Sequence, residues 1–322
     1  MLKEELKDES IEVIQPEYIS QDYLDIFGGG IKVKRHTKLG FRAYTKKDGT
    51  SYMSLTTFLG KTEVKDDTKY LDKWRNAMID ELSSVQAVDE FVEMTANYGT
   101  WLHVASGDLC KIGKVNWAHF DLDTYDWLLS KGFKGDVLLK AKSELTKDFA
   151  SIIQFFHDYK VTVLAIEIPV FYKSIATCID FVVEMNTLPN RVIGDCDRNR
   201  AIINLKSGKK GSFKNHHLQL LGELKAFNET YKMPFGGQIK KVYNLAPKDW
   251  HTNPSYSLYD HSDKMNDLEA EFKNRYERLE ILGEFEGLNK KVITEFVGET
   301  LLGDTTEGNI KRTNIQDFFS EK

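Results

Sequence analysis

Arg200-Ala201-Ile202-Ile203-Asn204-Leu205-Lys206-Ser207-Gly208-Lys209-Lys210 is the stretch on which the architecture turns. Its apolar run, bounded by charge and by a basic Gly-containing turn, reads as a short buried strand. Side chains two apart on a strand share a face. Ile202, Asn204 and Lys206 therefore point one way, and Ala201, Ile203 and Leu205 the other. A second strand is written in Ile175-Ala176-Thr177-Cys178-Ile179-Asp180-Phe181-Val182-Val183-Glu184-Met185, rich in β-branched and aromatic residues. Alternation places Cys178, Asp180, Val182 and Glu184 on one face, and Ile179, Phe181, Val183 and Met185 on the other. Asp180 lies inside an apolar run, where a carboxylate without a partner is costly. A lysine or a divalent ion offsets that cost.

Ile179-Asp180-Phe181 followed by Ile203-Asn204-Leu205-Lys206-Ser207 resembles the PD-(D/E)XK nuclease superfamily, in particular its RecB-like and mitochondrial genome maintenance exonuclease-like branch. That branch reads Gly-x-x-Asp on one strand and Asp-x-Lys-Thr/Ser on the next. Here Thr177 stands at the Gly and Asn204 at the second acidic position. The resemblance implies an α/β, restriction-endonuclease-like core: a central mixed β-sheet flanked by helices, with helical N-terminal and C-terminal additions. Its extent suggests residues 1–50 as an N-terminal arm with strands, 51–250 as the nuclease-like core, and 251–322 as a C-terminal helix and tail.

Asn97-Tyr98-Gly99-Thr100-Trp101-Leu102-His103 resembles the Gly-Thr-x-x-His motif of the same branch. Gly99 and His103 lie one helical turn apart, so a helix that approaches the sheet closely at the glycine would bring the imidazole to the site. By the resemblance, His103, Asp180 and Asn204 hold Mg²⁺ or Mn²⁺, hard cations that favour oxygen. Lys206 orients the attacking water or neutralises charge on the phosphate, and Glu167 supports the ion's water shell or Lys206. Ser207, Lys209 and Lys210 hold the DNA backbone. Gln219, on the helix Asn215–Phe227, corresponds to the Gln of a Gln-x-x-x-Tyr motif, with Glu223 in place of the Tyr.

Composition fits a globular protein, with 41% hydrophobic and 12% aromatic residues and a net charge of −5. The chain is not globally basic, which argues against a protein that coats nucleic acid but leaves room for a local basic groove. Basic residues gather at Lys32–Lys38 and around Lys206, Lys209, Lys210, Lys214, His216 and His217. No apolar run reaches membrane-spanning length. Cys110, Cys178 and Cys196 make no zinc or iron–sulfur spacing, and a charged N-terminus is no signal peptide, so a cytoplasmic protein (in a host cell, if viral) is expected.

Along the chain, Lys47-Asp48-Gly49 marks a hairpin turn, and Ser54, Thr56 and Leu59 give a Ser-x-Thr-x-x-Leu segment. Residues 68–92 read as one helix through Tyr70, Leu71, Trp74, Met78 and Leu82. Residues 111–135 read as a loop-rich connection whose Trp117, Phe120, Tyr125 and Trp127 pack in the core. Residues 137–158 read as an amphipathic helix. Residues 161–171 read as a strand, in which Pro169 signals a sheet edge. Asp195 and Asp197 fall in a polar loop. At the C-terminus, Ile315, Phe318 and Phe319 resemble a sliding-clamp-binding peptide, with Arg312 in place of its Gln.

These readings converge on a metal-dependent DNA exonuclease acting at ends or single strands in replication, recombination or repair. The rival is a non-catalytic nucleic-acid-binding or assembly protein on a degenerate nuclease scaffold; a restriction-type endonuclease is the other enzyme. Asn204 has three explanations: an Asp→Asn change introduced to trap substrate, a natural degenerate site, or compensation by another carboxylate such as Glu184. An amide carries no charge, and losing a charged site group costs about 10²-fold in rate.

Overall fold

A computed structural model describes residues 11–13, 33–38, 41–46, 48–63, 65–112, 114–189, 198–207, 214–231, 238–248, 255–286, 288 and 300–302. The architecture is α/β, a mixed sheet with helices on both faces. The strands are β1 (Ile11–Val13), β2 (Val33–Lys38), β3 (Phe41–Lys46), β4 (Ser51–Ser54), β5 (Lys114–Asn116), β6 (Thr162–Tyr172), β7 (Ile175–Asn186), β8 (Arg198–Leu205), β9 (Lys241–Ala246), β10 (Ser257–Asp260) and β11 (Thr300–Leu302). The helices are α1 (Leu55–Thr62), α2 (Lys65–Leu82), α3 (Val85–Ile112), α4 (Trp117–Ser130), α5 (Gly135–Asp158), α6 (Lys214–Thr230) and α7 (Met265–Ile281).

The main sheet runs β10-β9-β8-β7-β4-β3-β2-β11, with β6 beside β7; β1 and β5 form a separate ribbon. Its centre is apolar on both sides, as Val182 and Val183 show. Val183, Ala201 and Ile203 face α3, α4 and α5, while Val182, Ile202 and Val242 face α1, α6 and α7. Sheet residues buried on both faces read as near-continuous apolar runs, which is why β6, β7 and β8 stood out. The split of β8, with Ile202 on one side and Ala201, Ile203 and Leu205 on the other, is the expected one.

Strand β7 is where the sheet opens. It pairs antiparallel with β6 from Ile175 to Glu184, with β8 from Phe181 to Asn186, and in parallel with β4 only at Ile175 and Ala176. A strand has two edges, so β4 and β8 share the one that β6 leaves. Residues 177–180 of β7 lie between them, paired to neither. Strand β6 pairs with β7 alone among the described residues, so Pro169 sits on a sheet edge, where its missing N–H costs no ladder bond.

Two readings need correction. Residues 68–92 are not one helix: α2 ends at Leu82, Ser83 takes a left-handed backbone (φ 63°), and the Ser84 hydroxyl accepts from Ala87 N–H to start α3. Serine competes for backbone partners and so caps helices better than it continues them. Residues 111–135 are not loop-rich but contain α4. Asn116 caps it, accepting from Ala118 and His119 N–H, and Phe120, Thr124 and Leu128 form its buried face at four-residue spacing. Trp117, Phe120 and Trp127 do pack inward, Phe120 stacking on Phe149 with ring centroids 4.4 Å apart and Trp101 on Trp127 at 5.4 Å, whereas Tyr125 is exposed.

The β3–β4 hairpin turns at Asp48 and Gly49. Gly49 adopts φ 87°, and Asp48 Oδ1 accepts from Thr50 N–H. Among the described residues no helix is long and apolar enough to cross a membrane.

Candidate metal centre

The alternation expected for β7 fails at one point, and the site lies there. Phe181, Val183 and Met185 share a core, but Ile179 joins Val182 in the other one. Strand β6 does the same: Ile166 packs on one face and Ile168 on the other. The cause is Glu167, whose φ of 47° is left-handed and reverses the direction of the strand's side chains. Ile166 pairs with Phe181 and Ile168 with Ile179, so Glu167 and Asp180 fall between the same two cross-strand pairs. Residues opposite each other in an antiparallel ladder share a face, so β7 reverses along with β6. Both carboxylates are thereby taken out of the core alternation and set at the mouth of the sheet.

Helix α3 supplies the third group. His103 Nδ1 lies 3.4 Å from Asp180 Oδ1 and 3.7 Å from Glu167 Oε1. Both distances exceed the roughly 2.7–3.2 Å of an ordinary N–H···O bond. One ligand atom each from His103, Glu167 and Asp180 falls within 4.8 Å of the other two, a spacing that could hold a metal ion. The helix can come this near because of Gly99. A methyl there would meet Ser207 Oγ at 3.0 Å, so the α3 backbone rests against the turn after β8.

Asp180 is 14% exposed and also stitches β7 to β8: its Oδ2 accepts from Leu205 N–H at 2.7 Å. The backbone ladder stops at Phe181–Ile203, and the carboxylate takes over from a backbone acceptor as the strands splay. Burial pushes this carboxyl up, but His103, Lys206 and the Leu205 N–H outweigh burial and hold it below the usual range. Burial alone would pull His103 down. Asp180 and Glu167 reverse this and push its pKa up to about 10. Without an ion, the imidazolium is the cation the two carboxylates demand.

A second group lies on the α6 side. Lys206 Nζ donates to Gln219 Oε1 at 3.1 Å, Gln219 Nε2 to Glu223 Oε1 at 2.7 Å, and Asn204 Nδ2 to the same Oε1 at 2.8 Å. Burial lowers the Lys206 pKa, opposed by Glu223 and Asp180. Burial and the Asp180 charge push Glu223 up to about 7. The two groups meet through Asp180, which interacts electrostatically with both His103 and Lys206.

The structure thus brings together His103, Glu167 and Asp180, and beside them Asn204, Lys206, Gln219 and Glu223, with Ser207 against Gly99. Lys209, Lys210, Asp195, Asp197, Ile315, Phe318 and Phe319 lie outside the described residues. Glu184 does not compensate for Asn204. It is taken up by Arg198 and Arg200, each at 3.5 Å, where β8 begins. Sequence reasoning treated Glu223 only as a departure from a motif. The available signal was its place four residues after Gln219, hence on the same face of α6. The sequence matches no protein-family model and no curated protein.

Proposed function

We propose that this chain is a divalent-metal-dependent nuclease that hydrolyses DNA phosphodiester bonds at ends or on single strands. The observation that carries the reading is the convergence of His103, Glu167 and Asp180 at an opening in the sheet, beside the ammonium group of Lys206. Its resemblance to the PD-(D/E)XK nucleases gives the same assignment. The donor set, one imidazole nitrogen and two carboxylates, suits Mn²⁺ and is acceptable to Mg²⁺. The fit rests on the donor set and its spacing: one ligand atom from each of His103, Glu167 and Asp180 lies within 4.8 Å of the other two.

What a bound Mg²⁺ or Mn²⁺ supplies is polarisation of a phosphoryl oxygen and a more acidic water. The protein's own groups do the rest. Lys206, held by Gln219 Oε1, presents positive charge to the phosphate as it gains negative charge. Ser207, in the turn that α3 rests against, offers a hydroxyl to a non-bridging oxygen. Asp180 keeps β7 and β8 splayed at a fixed width through Leu205 N–H. The basic residues that follow Ser207 in sequence add contacts to the backbone without reading bases.

The test is digestion of end-labelled linear single-stranded DNA, with a covalently closed circle as control. In Mn²⁺ the linear strand is expected to shorten from an end and the circle to stay intact. EDTA and Asp180→Asn each abolish the reaction. Asn204 is the one observation that favours a non-catalytic DNA-binding scaffold. DNA bound tightly but left uncut in Mn²⁺ would establish that reading instead, and a linearised circle would point to an endonuclease.

A further inference from the structure

Asn204 does what an aspartate in its place could not. Its Nδ2 donates to Glu223 Oε1, with the two residues 4% and 1% exposed. A carboxylate at 204 would set two acidic oxygens at this separation, away from water, so that the pair would either repel or have to take up a proton. Strand β8 and helix α6 are fitted as an amide–carboxylate pair: position 204 is neutral because position 223 is acidic.

The same carboxylate orders its neighbours. Glu223 Oε1 also accepts from Gln219 Nε2, one turn earlier on α6. A carboxylate can only accept and an ammonium can only donate. The Gln219 amide therefore has a single orientation, with Oε1 turned towards Lys206 Nζ. Glu223 holds the lysine through one intermediary. Its other oxygen, Oε2, is buried without a hydrogen-bond partner, and both Asp180 and Lys206 lie within electrostatic reach. A buried acceptor left open beside the reacting groups is a group kept for a ligand or a water.

We propose that the second buried carboxylate of this site is carried by α6 rather than β8, that Asn204 is its native partner and not a disabling change, and that Glu223 is the positioning residue for Lys206. The positioning role rests on the nuclease reading; the pairing does not.

The experiment compares the parent chain with Asn204→Asp, Glu223→Gln and the double exchange Asn204→Asp/Glu223→Gln. Each is melted in EDTA, titrated calorimetrically with Mn²⁺ alone, and assayed on end-labelled DNA. Asn204→Asp is expected to melt below the parent and to gain no activity. Glu223→Gln is expected to fold and to cleave about tenfold more slowly, as when a group supporting a site residue is removed. The double exchange again holds one carboxylate and one amide, and is expected to recover the parental melt and most of the cleavage. An Asn204→Asp chain that melts at or above the parent and cuts faster overturns the proposal. So does a folded double variant that recovers neither property. If Asn204→Asp fails to fold, a cooperative melt in the double variant decides the pairing. The melts need neither ion nor substrate, so a parent that binds no Mn²⁺ and cuts nothing sinks the nuclease reading while the order of the melts still judges the exchange.

Discussion

Two polar clusters are buried against the same sheet, and they are built on opposite plans. On the α5 side, Asp148 has no exposure, and its Oδ2 accepts from Tyr98 O–H at 2.5 Å. Lys248 Nζ donates to that phenol at 3.1 Å and to Glu144 at 3.1 Å, and stands 3.6 Å from Asp148. The cluster ties α3, α5 and the chain after β9 together, with donors matched to acceptors. The candidate metal-centre cluster does the reverse. His103 stands off from both carboxylates at more than hydrogen-bond length, Glu223 Oε2 has no partner, and Glu167 is 48% exposed on a left-handed backbone. A cluster made for stability closes its own bonds, whereas one made for a ligand leaves them open and holds its groups in unfavourable conformations.

If the contrast is right, stability and activity should part company between the two clusters. The largest effect is expected at Asp180. Asp180→Asn should cut cleavage in Mn²⁺ by about 10³-fold, equivalent to ~4 kcal/mol of transition-state stabilisation. Its urea midpoint should fall by less than that of Asp148→Ala, because an amide oxygen can still accept from Leu205 N–H and only the charge that pairs with His103 and Lys206 is lost. A large drop in midpoint would show the carboxylate to be structural first. Asp148→Ala should behave oppositely. Removing one member of a buried pair strands Lys248 and Tyr98 and costs about 3 kcal/mol in urea denaturation. Activity per folded molecule, measured well below the midpoint, should be close to normal.

Glu167→Gly tests the open plan from within. Glycine adopts a φ of 47° without strain. The strain it relieves is ~1–3 kcal/mol and the flexibility it adds to a strand costs up to ~1 kcal/mol, so a net gain of about 1 kcal/mol is expected. Calorimetry should show weaker Mn²⁺ binding in the same protein. A variant that loses stability and keeps its ion affinity would mean Glu167 is no part of the centre.

The pH dependence separates the clusters again. His103 has an ordinary value of 6.5 and a folded value of about 10. Its contribution to metal-free stability is complete below pH 6.5 and is lost as pH rises towards 10. Melting temperature in EDTA should fall across that window. His103→Gln should flatten the slope, and saturating Mn²⁺ should oppose it, since the ion takes over from the proton. Tyr98 is raised by burial and by Asp148, so the α5 cluster contributes its own loss only above the ordinary phenol range near 10.

Much of this was legible from residue order, and the rest was hidden for identifiable reasons. Strands β7 and β8 announce themselves because both of their faces are apolar; Asp180 and Lys206 stand out as charged groups on them, and His103 through the resemblance of its segment to a nuclease motif. The face reversal at Glu167 and Asp180 could not be read. Alternation assumes an unbroken strand, and a left-handed glutamate leaves no compositional mark. Helix α4 was read as loop although Asn116 as cap and the Phe120–Thr124–Leu128 spacing were its signals. The tie between Asn204 and Glu223 joins residues 19 positions apart on a strand and a helix. It depends on how α6 crosses the sheet, and Gly222 lets α6 lie close against α1: a methyl there would meet Leu55 Cδ1 at 2.6 Å.

Gly99 is where the smallest effect is expected and where its sign is most informative. Alanine in a helix is favoured over glycine by about 1 kcal/mol. Against this, the added Cβ would stand 3.0 Å from Ser207 Oγ and 3.5 Å from Ser207 Cβ. The hydroxyl can rotate away, whereas Cβ at 3.5 Å is already in ordinary contact, so the backbone need not move far. Gly99→Ala should leave the urea midpoint unchanged or slightly raised. Cleavage should still drop by about threefold to tenfold, because displacing Ser207 disturbs the residue after Lys206, and small misplacements at a reacting centre are felt in rate before stability. Equal losses of rate and stability would instead mean that α3 is pushed off the sheet as a unit. In that case His103 owes its place to the whole packing of α3 rather than to the single close approach at Gly99.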